Sequence, residues 1–171
     1  MRELTRIRLR TLVWLILPFT VVFLIPHALR RAAHESMAAR GWSVWRWLGV
    51  WLMLDGLGLA AWCVNLFNVQ GRGTPLPFDP PKQFVVKGPY QYVRNPMMLG
   101  AVVLMLGEAA FFQSGVLVLY AGALFGCAHS FVCYWEEPDL KKRFGDAYRA
   151  YCQHIPRWLP RFLPSRKPVT R

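Results

Sequence analysis

Four long apolar stretches leave few folds open to this chain. Leu12 to Leu29 is almost uncharged, interrupted by Pro18, Pro26 and His27. Val44 to Phe67 carries Arg46 near its start and Asp55 at its centre. Pro96 to Phe112 and Val116 to Trp135 follow, separated by only Gln113, Ser114 and Gly115. A helix needs about 20 residues to cross a hydrocarbon core, with about 17 as the lower limit, and all four stretches reach it. The expected fold class is all-α: a polytopic membrane protein in one domain, 1–171, with transmembrane helices at 12–29, 44–67, 96–112 and 116–135. The short connector makes the last two a tight antiparallel hairpin. A secretory signal is the other reading of the first stretch, because Arg2, Arg6, Arg8 and Arg10 precede it. No small-residue cleavage site follows cleanly, and Arg30 and Arg31 close it instead.

Composition agrees. Hydrophobic residues make up 54% and charged residues 18%, against roughly 25% charged in a soluble chain. Eight Trp and eleven Phe exclude disorder. The 21 Lys and Arg outnumber the 9 Asp and Glu, for a net charge of +12. In so apolar a chain that excess points to the anionic face of a membrane, and no single basic stripe suggests nucleic acid. An N-terminus inside the cell leaves 17 of the 21 basic residues in the cytosol. Both termini are therefore expected there, with 30–43 outside. The 68–95 loop and the 136–171 tail then share one side. Cys63, Cys127, Cys133 and Cys152 form no CxxC pair, so neither a zinc site nor a disulfide framework is expected.

The tail has a pattern of its own. Leu140, Phe144, Tyr148, Tyr151 and Ile155 recur at helical spacing, while Lys141, Lys142, Arg143 and Arg149 take other faces. This predicts an interfacial amphipathic helix, with Tyr148 and Tyr151 as packing residues. Glu136, Glu137 and Asp139 suit its first turn, and Pro156 ends it. The 68–95 loop, rich in Gly and Pro, is long for a connector and reads as a binding segment. It runs through Gly88, Tyr90, Tyr92, Arg94 and Asn95 directly into the third stretch. His129 lies seven residues before Glu136, which predicts a shared helix face and a candidate base. Arg94 reads as an anion holder or an interfacial anchor. Asp55 is expected to face the helix bundle, because a charge against lipid is costly. Glu108 is similar but nearer the outer surface.

Residues Pro75 to Gly100, then Glu136-Glu137-Pro138 with Leu140, Phe144, Gly145, Tyr148 and Tyr151, and finally Pro156-Arg157-Trp158-Leu159-Pro160, carry a resemblance. This C-terminal part of the chain, roughly 100 residues long, resembles the isoprenylcysteine carboxyl methyltransferases and the related integral-membrane phospholipid methyltransferases. The resemblance implies a cytosolic S-adenosylmethionine pocket closed by the loop and the tail. It carries cofactor contacts onto Arg94, Asn95, Pro96, Met97, Met98 and Gly100. It adds Lys82, Gln83, Phe84 and Val85, together with Tyr90 and Glu136. Asn95 stands where the prenylcysteine enzymes have histidine, and Met98 where they have tyrosine. Val132 stands in place of an arginine that holds a carboxylate substrate.

The implied activity is methyl transfer to a lipidic or small apolar acceptor drawn from the membrane. His129 and Arg94 are the candidate catalytic residues, and no metal is expected. Methyl transfer from a sulfonium needs alignment and desolvation rather than a metal or nucleophile triad. A burial argument favours a neutral amine or thiol acceptor over a carboxylate, which would lose its hydration without a cation at position 132. Two rivals remain: an NADPH-dependent membrane reductase of the sterol-reductase type, and a non-catalytic membrane protein whose basic tail binds anionic lipid.

Overall fold

The computed structural model describes residues 16–35, 42–71, 84 and 86–162. Lys82, Gln83 and Val85 lie outside the described residues, as do the start of the first apolar stretch and most of the loop. Every regular element among the described residues is helical. In chain order these are α1 (Ile16–Phe19), a π turn Thr20–Leu24, α2 (Ile25–Ala32), α3 (Val44–Leu66), a π turn Phe67–Gly71 and a 3-10 turn Gly88–Gln91. Then come α4 (Pro96–Phe112), α5 (Gly115–Phe131), a π turn Val132–Glu136 and α6 (Glu137–His154). Pro26 explains the first π turn: its ring cannot donate to the carbonyl one turn back, and a widened turn before it absorbs the clash.

Among the described residues, two helical runs are long and apolar enough to cross a membrane: Val44–Val69 and Gly115–His154. Pro96–Phe112 is apolar but has 17 residues. Only 17% of each long apolar window is buried, whereas the core helix of a soluble protein would be mostly covered. Trp45, Trp47, Trp51, Leu54, Leu57 and Trp62 are each more than half exposed along α3. So large an apolar surface belongs in hydrocarbon, and the chain is an integral membrane protein.

Backbone contact between α3 and α4 organises the helices. A Cβ added at Gly49 would lie 2.5 Å from the Phe111 nitrogen, and one at Gly56 2.5 Å from the Gly100 carbonyl oxygen. From the other side, a Cβ at Gly100 would meet the Gly56 oxygen at 2.8 Å, and one at Gly107 the Met53 nitrogen at 2.7 Å. No side chain fits between these antiparallel helices. In a bilayer this close approach, rather than hydrophobic exclusion, drives helix pairing.

At one end of the pair lies the expected hairpin. Gln113 takes the left-handed conformation (φ 52°) that closes α4, Ser114 N–H donates to Ala109 O at 3.0 Å, and the Ser114 hydroxyl caps Leu117 N–H at 3.2 Å. Gln113 Nε2 also donates to Ser43 Oγ at 2.8 Å, and the Arg30 guanidinium sits 3.8 Å above the Phe112 ring. Glu108 is buried there, facing the bundle as expected. Asp55 is not: it is exposed, because its neighbour Gly56 takes the contact with α4 and the helical advance turns position 55 outward.

The tail forms the expected helix, with two corrections. Its apolar stripe does not stand free for the membrane interface, because Phe84 and Val86 of the loop pack against Leu140, Phe144, Tyr148, Tyr151 and Ile155. Gly145 also breaks the helical dihedrals (φ 53°, ψ −127°) and puts a kink inside α6.

Two glycines on α3 test the backbone contact. Gly56→Ala should destabilise the protein by about 1–3 kcal/mol through forced separation of α3 and α4. Gly58, with open space around it, should accept alanine at no cost or with a gain of about 0.5–1 kcal/mol from helix propensity. Thermal unfolding of both variants in detergent checks this; equal effects would contradict the contact.

Candidate functional site

The opposite end of the α3–α4 pair collects most of the residues the sequence singles out. Gly88, with φ 58°, turns the loop so that Tyr90 drops beside the end of α3. A Cβ there would approach Leu66 Cδ1 at 3.1 Å, and few residues other than glycine adopt that φ. Tyr90 packs with Cys63, Leu66 and Met97, and its ring meets Phe67 edge-on at 5.4 Å. Pro96 opens α4 fully buried, its missing N–H being one that no helix uses at that position.

The chain beyond α6 returns to this end as an extended strap. Ile155 adopts β dihedrals (φ −114°, ψ 123°) ahead of Pro156. Arg94 N–H donates to Pro156 O at 2.9 Å, Arg161 N–H to Tyr92 O at 3.1 Å, and Asn95 Nδ2 to Arg157 O at 3.2 Å. Tyr151 Oη donates to Tyr90 O at 2.7 Å. Loop, α6 and strap are thus tied directly to one another on one side of the molecule.

Glu137 sits at the centre. Its Oε1 accepts from Arg94 Nη1 at 2.9 Å and Arg157 Nε at 2.7 Å, and its Oε2 from Arg157 Nη2 at 3.0 Å. Burial alone would raise its pKa. The Arg157 hydrogen bonds and the charges of Arg94 and Arg157 outweigh burial and hold the carboxyl below its ordinary value. Arg94 Nη1 also lies 3.0 Å from Cys152 Sγ.

Glu136 differs from its neighbour. Its Oε2 is buried with no hydrogen-bond partner. Burial first, then the charges of Glu137 and Asp139, push this carboxyl up to about 7. A buried acceptor without a donor is costly and marks a place where a ligand group fits. Burial also raises the phenols of Tyr90, Tyr148 and Tyr151 above their ordinary value. At neutral pH these hydroxyls donate hydrogen bonds and do not act as bases.

Of the residues singled out in the sequence, Tyr90, Arg94, Asn95, Pro96, Met97 and Glu136 meet at this end. Phe84 is held by the α6 aromatics, with Tyr151 5.1 Å away. Met98 is half-buried on α4. Gly100 lies inside the α3–α4 contact, so its smallness is required by Gly56. His129 is exposed, and its Nδ1 accepts from Trp158 Nε1 at 2.9 Å. That bond occupies the one lone pair a neutral imidazole could offer as a base. His129 and Glu136 also do not share a face as the spacing predicts, because the π turn Val132–Glu136 inserts extra residue per turn between them. Val132 is fully buried. Arg157 and Trp158 stood in the motif without a role, and Glu137 had none in the sequence beyond the first turn of the tail helix, because its two arginine partners come from distant parts of the chain.

A family model for phospholipid methyltransferases matches residues 44–147. No curated protein and no solved structure matches the chain.

The two glutamates make a paired test. Glu137→Gln leaves two arginines without their carboxylate and should lower stability by about 2–4 kcal/mol. Glu136→Gln should leave stability unchanged or raise it at pH 8, where the buried carboxyl is otherwise ionised. The raised pKa of Glu136 stabilises the fold fully below about pH 4.5, and that contribution is lost as pH rises through about 7. Thermal unfolding against pH in detergent reads both effects.

Proposed function

The chain belongs to the phospholipid methyltransferase family, and from that premise we propose an S-adenosylmethionine-dependent methyltransferase of four membrane spans, acting on a lipidic or small apolar acceptor. Both termini lie in the cytosol, on the side of the Arg94–Glu137–Arg157 cluster, as the distribution of Lys and Arg favours. Family membership favours methyl transfer over nicotinamide reduction and over passive lipid binding.

One observation carries the donor assignment: the unpartnered, buried Glu136 Oε2 beside Tyr90 and Glu137. S-adenosylmethionine supplies a methyl group on a sulfonium and carries an ammonium as well. Glu136, when ionised, offers a carboxylate to such a cation. Arg94 and Arg157 occupy Glu137, so Glu136 is the carboxylate left to meet the donor, and with it ionised the four side chains together carry no net charge. Tyr90 and Met97 form the apolar wall that excludes water, which strengthens the carboxylate–cation attraction. Asn95 binds the strap and Gly100 keeps α4 close to α3, so both act by positioning. Phe84 holds the loop against α6, and Lys82, Gln83 and Val85 are proposed as donor contacts on the family resemblance alone.

The acceptor reading follows from Val132. A buried valine at the position of the prenylcysteine enzymes' arginine leaves a substrate carboxylate without a cation. A neutral amine or thiol avoids that cost: its lone pair would form the new bond to the methyl carbon as the methyl–sulfur bond breaks and S-adenosylhomocysteine leaves, and a proton then leaves the acceptor.

Donor binding should depend on pH with a definite sign. Glu136 ionises through about pH 7, so affinity for S-adenosylmethionine should rise from pH 6 to pH 8. Glu136→Gln should flatten that profile and weaken binding at pH 8 about ten- to a hundredfold. Isothermal titration of the purified protein measures it. A transfer assay comparing phosphatidylethanolamine, a small thiol and a farnesylcysteine analogue then tests the acceptor. Efficient turnover of the farnesylcysteine analogue would reject the Val132 argument.

A further inference from the structure

The strap is fastened to the membrane helix α5 at a point the reading above does not use. Trp158 Nε1 donates to His129 Nδ1 at 2.9 Å, and the Trp158 ring meets Phe125 edge-on at 4.9 Å. The two residues that precede this indole in the strap, Pro156 and Arg157, are the ones that bind Glu137, Asn95 and Arg94. One side of the strap therefore holds the polar cluster, and Trp158 holds the strap to α5.

We propose that Trp158 and His129 are positioning residues that latch the strap 155–162 closed over the donor site. The inference rests on the methyltransferase reading for its consequence, but not for the latch itself. The strap's bonds to Arg94, Asn95 and Tyr92 cover the cluster beside Glu136, so a water-soluble donor reaches and leaves that cluster by displacing the strap. A hydrogen bond to a single side chain on α5 is a reversible fastening suited to that. Further along the strap Leu159 and Phe162 are exposed, and Arg161 Nη1 donates to His154 O at the end of α6. The latch sets how long the donor is retained and takes no part in the chemistry. It makes Trp158 a determinant of the donor KM, with kcat governed elsewhere.

The experiment uses the full chain in nanodiscs, with W158F, H129A, H129N and the double variant W158F/H129A. Asn places an acceptor oxygen close to the position of His Nδ1, so H129N keeps the bond, whereas H129A and W158F remove it. Native-state trypsin cleavage after Arg157 and Arg161, followed by mass spectrometry, reads strap release. W158F and H129A should each speed cleavage about three- to tenfold, the range of one neutral hydrogen bond, and the double variant should do no more than either. H129N should stay near the wild-type rate. The donor KM should rise by a similar factor in W158F and H129A, with kcat within about twofold. Unchanged cleavage in W158F, or additive effects in the double variant, overturns the latch. Faster cleavage with unchanged donor KM overturns the positioning role. Absence of methyl transfer by the wild-type protein to every acceptor would instead reject the methyltransferase reading, and the cleavage arm would still decide the latch.

Discussion

The close approach of two backbones, α3 against α4, is the constraint the rest of the structure depends on. Lipid is as apolar as leucine, so apolar side chains gain little by leaving it for a neighbouring helix. Dispersion between well-fitted surfaces has to hold the pair. Gly49 and Gly56 on one helix, with Gly100 and Gly107 on the other, remove the side chains that would keep the backbones apart. The geometry of that contact puts the end of α3 beside the start of α4. Cys63 and Leu66 there form the floor on which Tyr90 and Met97 rest. The loop that brings Arg94 and Asn95 into position needs that floor.

Charge is then divided between two adjacent glutamates by their surroundings. Glu137 takes three hydrogen bonds from two arginines and becomes a structural tie between loop and strap. Glu136 lies half-buried beside it, with one buried oxygen left over. The same side chain does two jobs because Glu136 ends the π turn and Glu137 begins α6, so the two carboxylates leave the helix in different directions. A carboxylate already satisfied is a poor ligand, and one that is buried and unsatisfied gains most from a cation.

Much of this was legible along the chain. The apolar stretches place α3, α4 and α5 within a residue or a few of their observed ends, and Gln113 to Gly115 had to be a tight turn. The helical spacing from Leu140 to Ile155 identified the face of α6 that is buried. What covers that face was not legible, because an apolar stripe has the same pattern whether lipid or Phe84 lies against it. The shared face expected for His129 and Glu136 failed for a local reason. Spacing arguments assume regular α turns, and the π turn ahead of Pro138, like the one ahead of Pro26, changes the phase.

The sequence by itself determined the class of molecule, the helices and the motif residues, since apolar length and helical period are properties of the chain alone. It also displays glycines seven apart in three helices: 49 and 56, 100 and 107, 115 and 122. Only the tertiary structure separated them, by placing backbone against the first two pairs and open space around the third. It likewise decided that Glu137 is the tie, that Glu136 is the free carboxylate, and that Trp158 lies on His129. The physical reason is the same in each case: burial and hydrogen bonding depend on what arrives from elsewhere in the chain, and neighbours in space leave no mark on the neighbours in sequence.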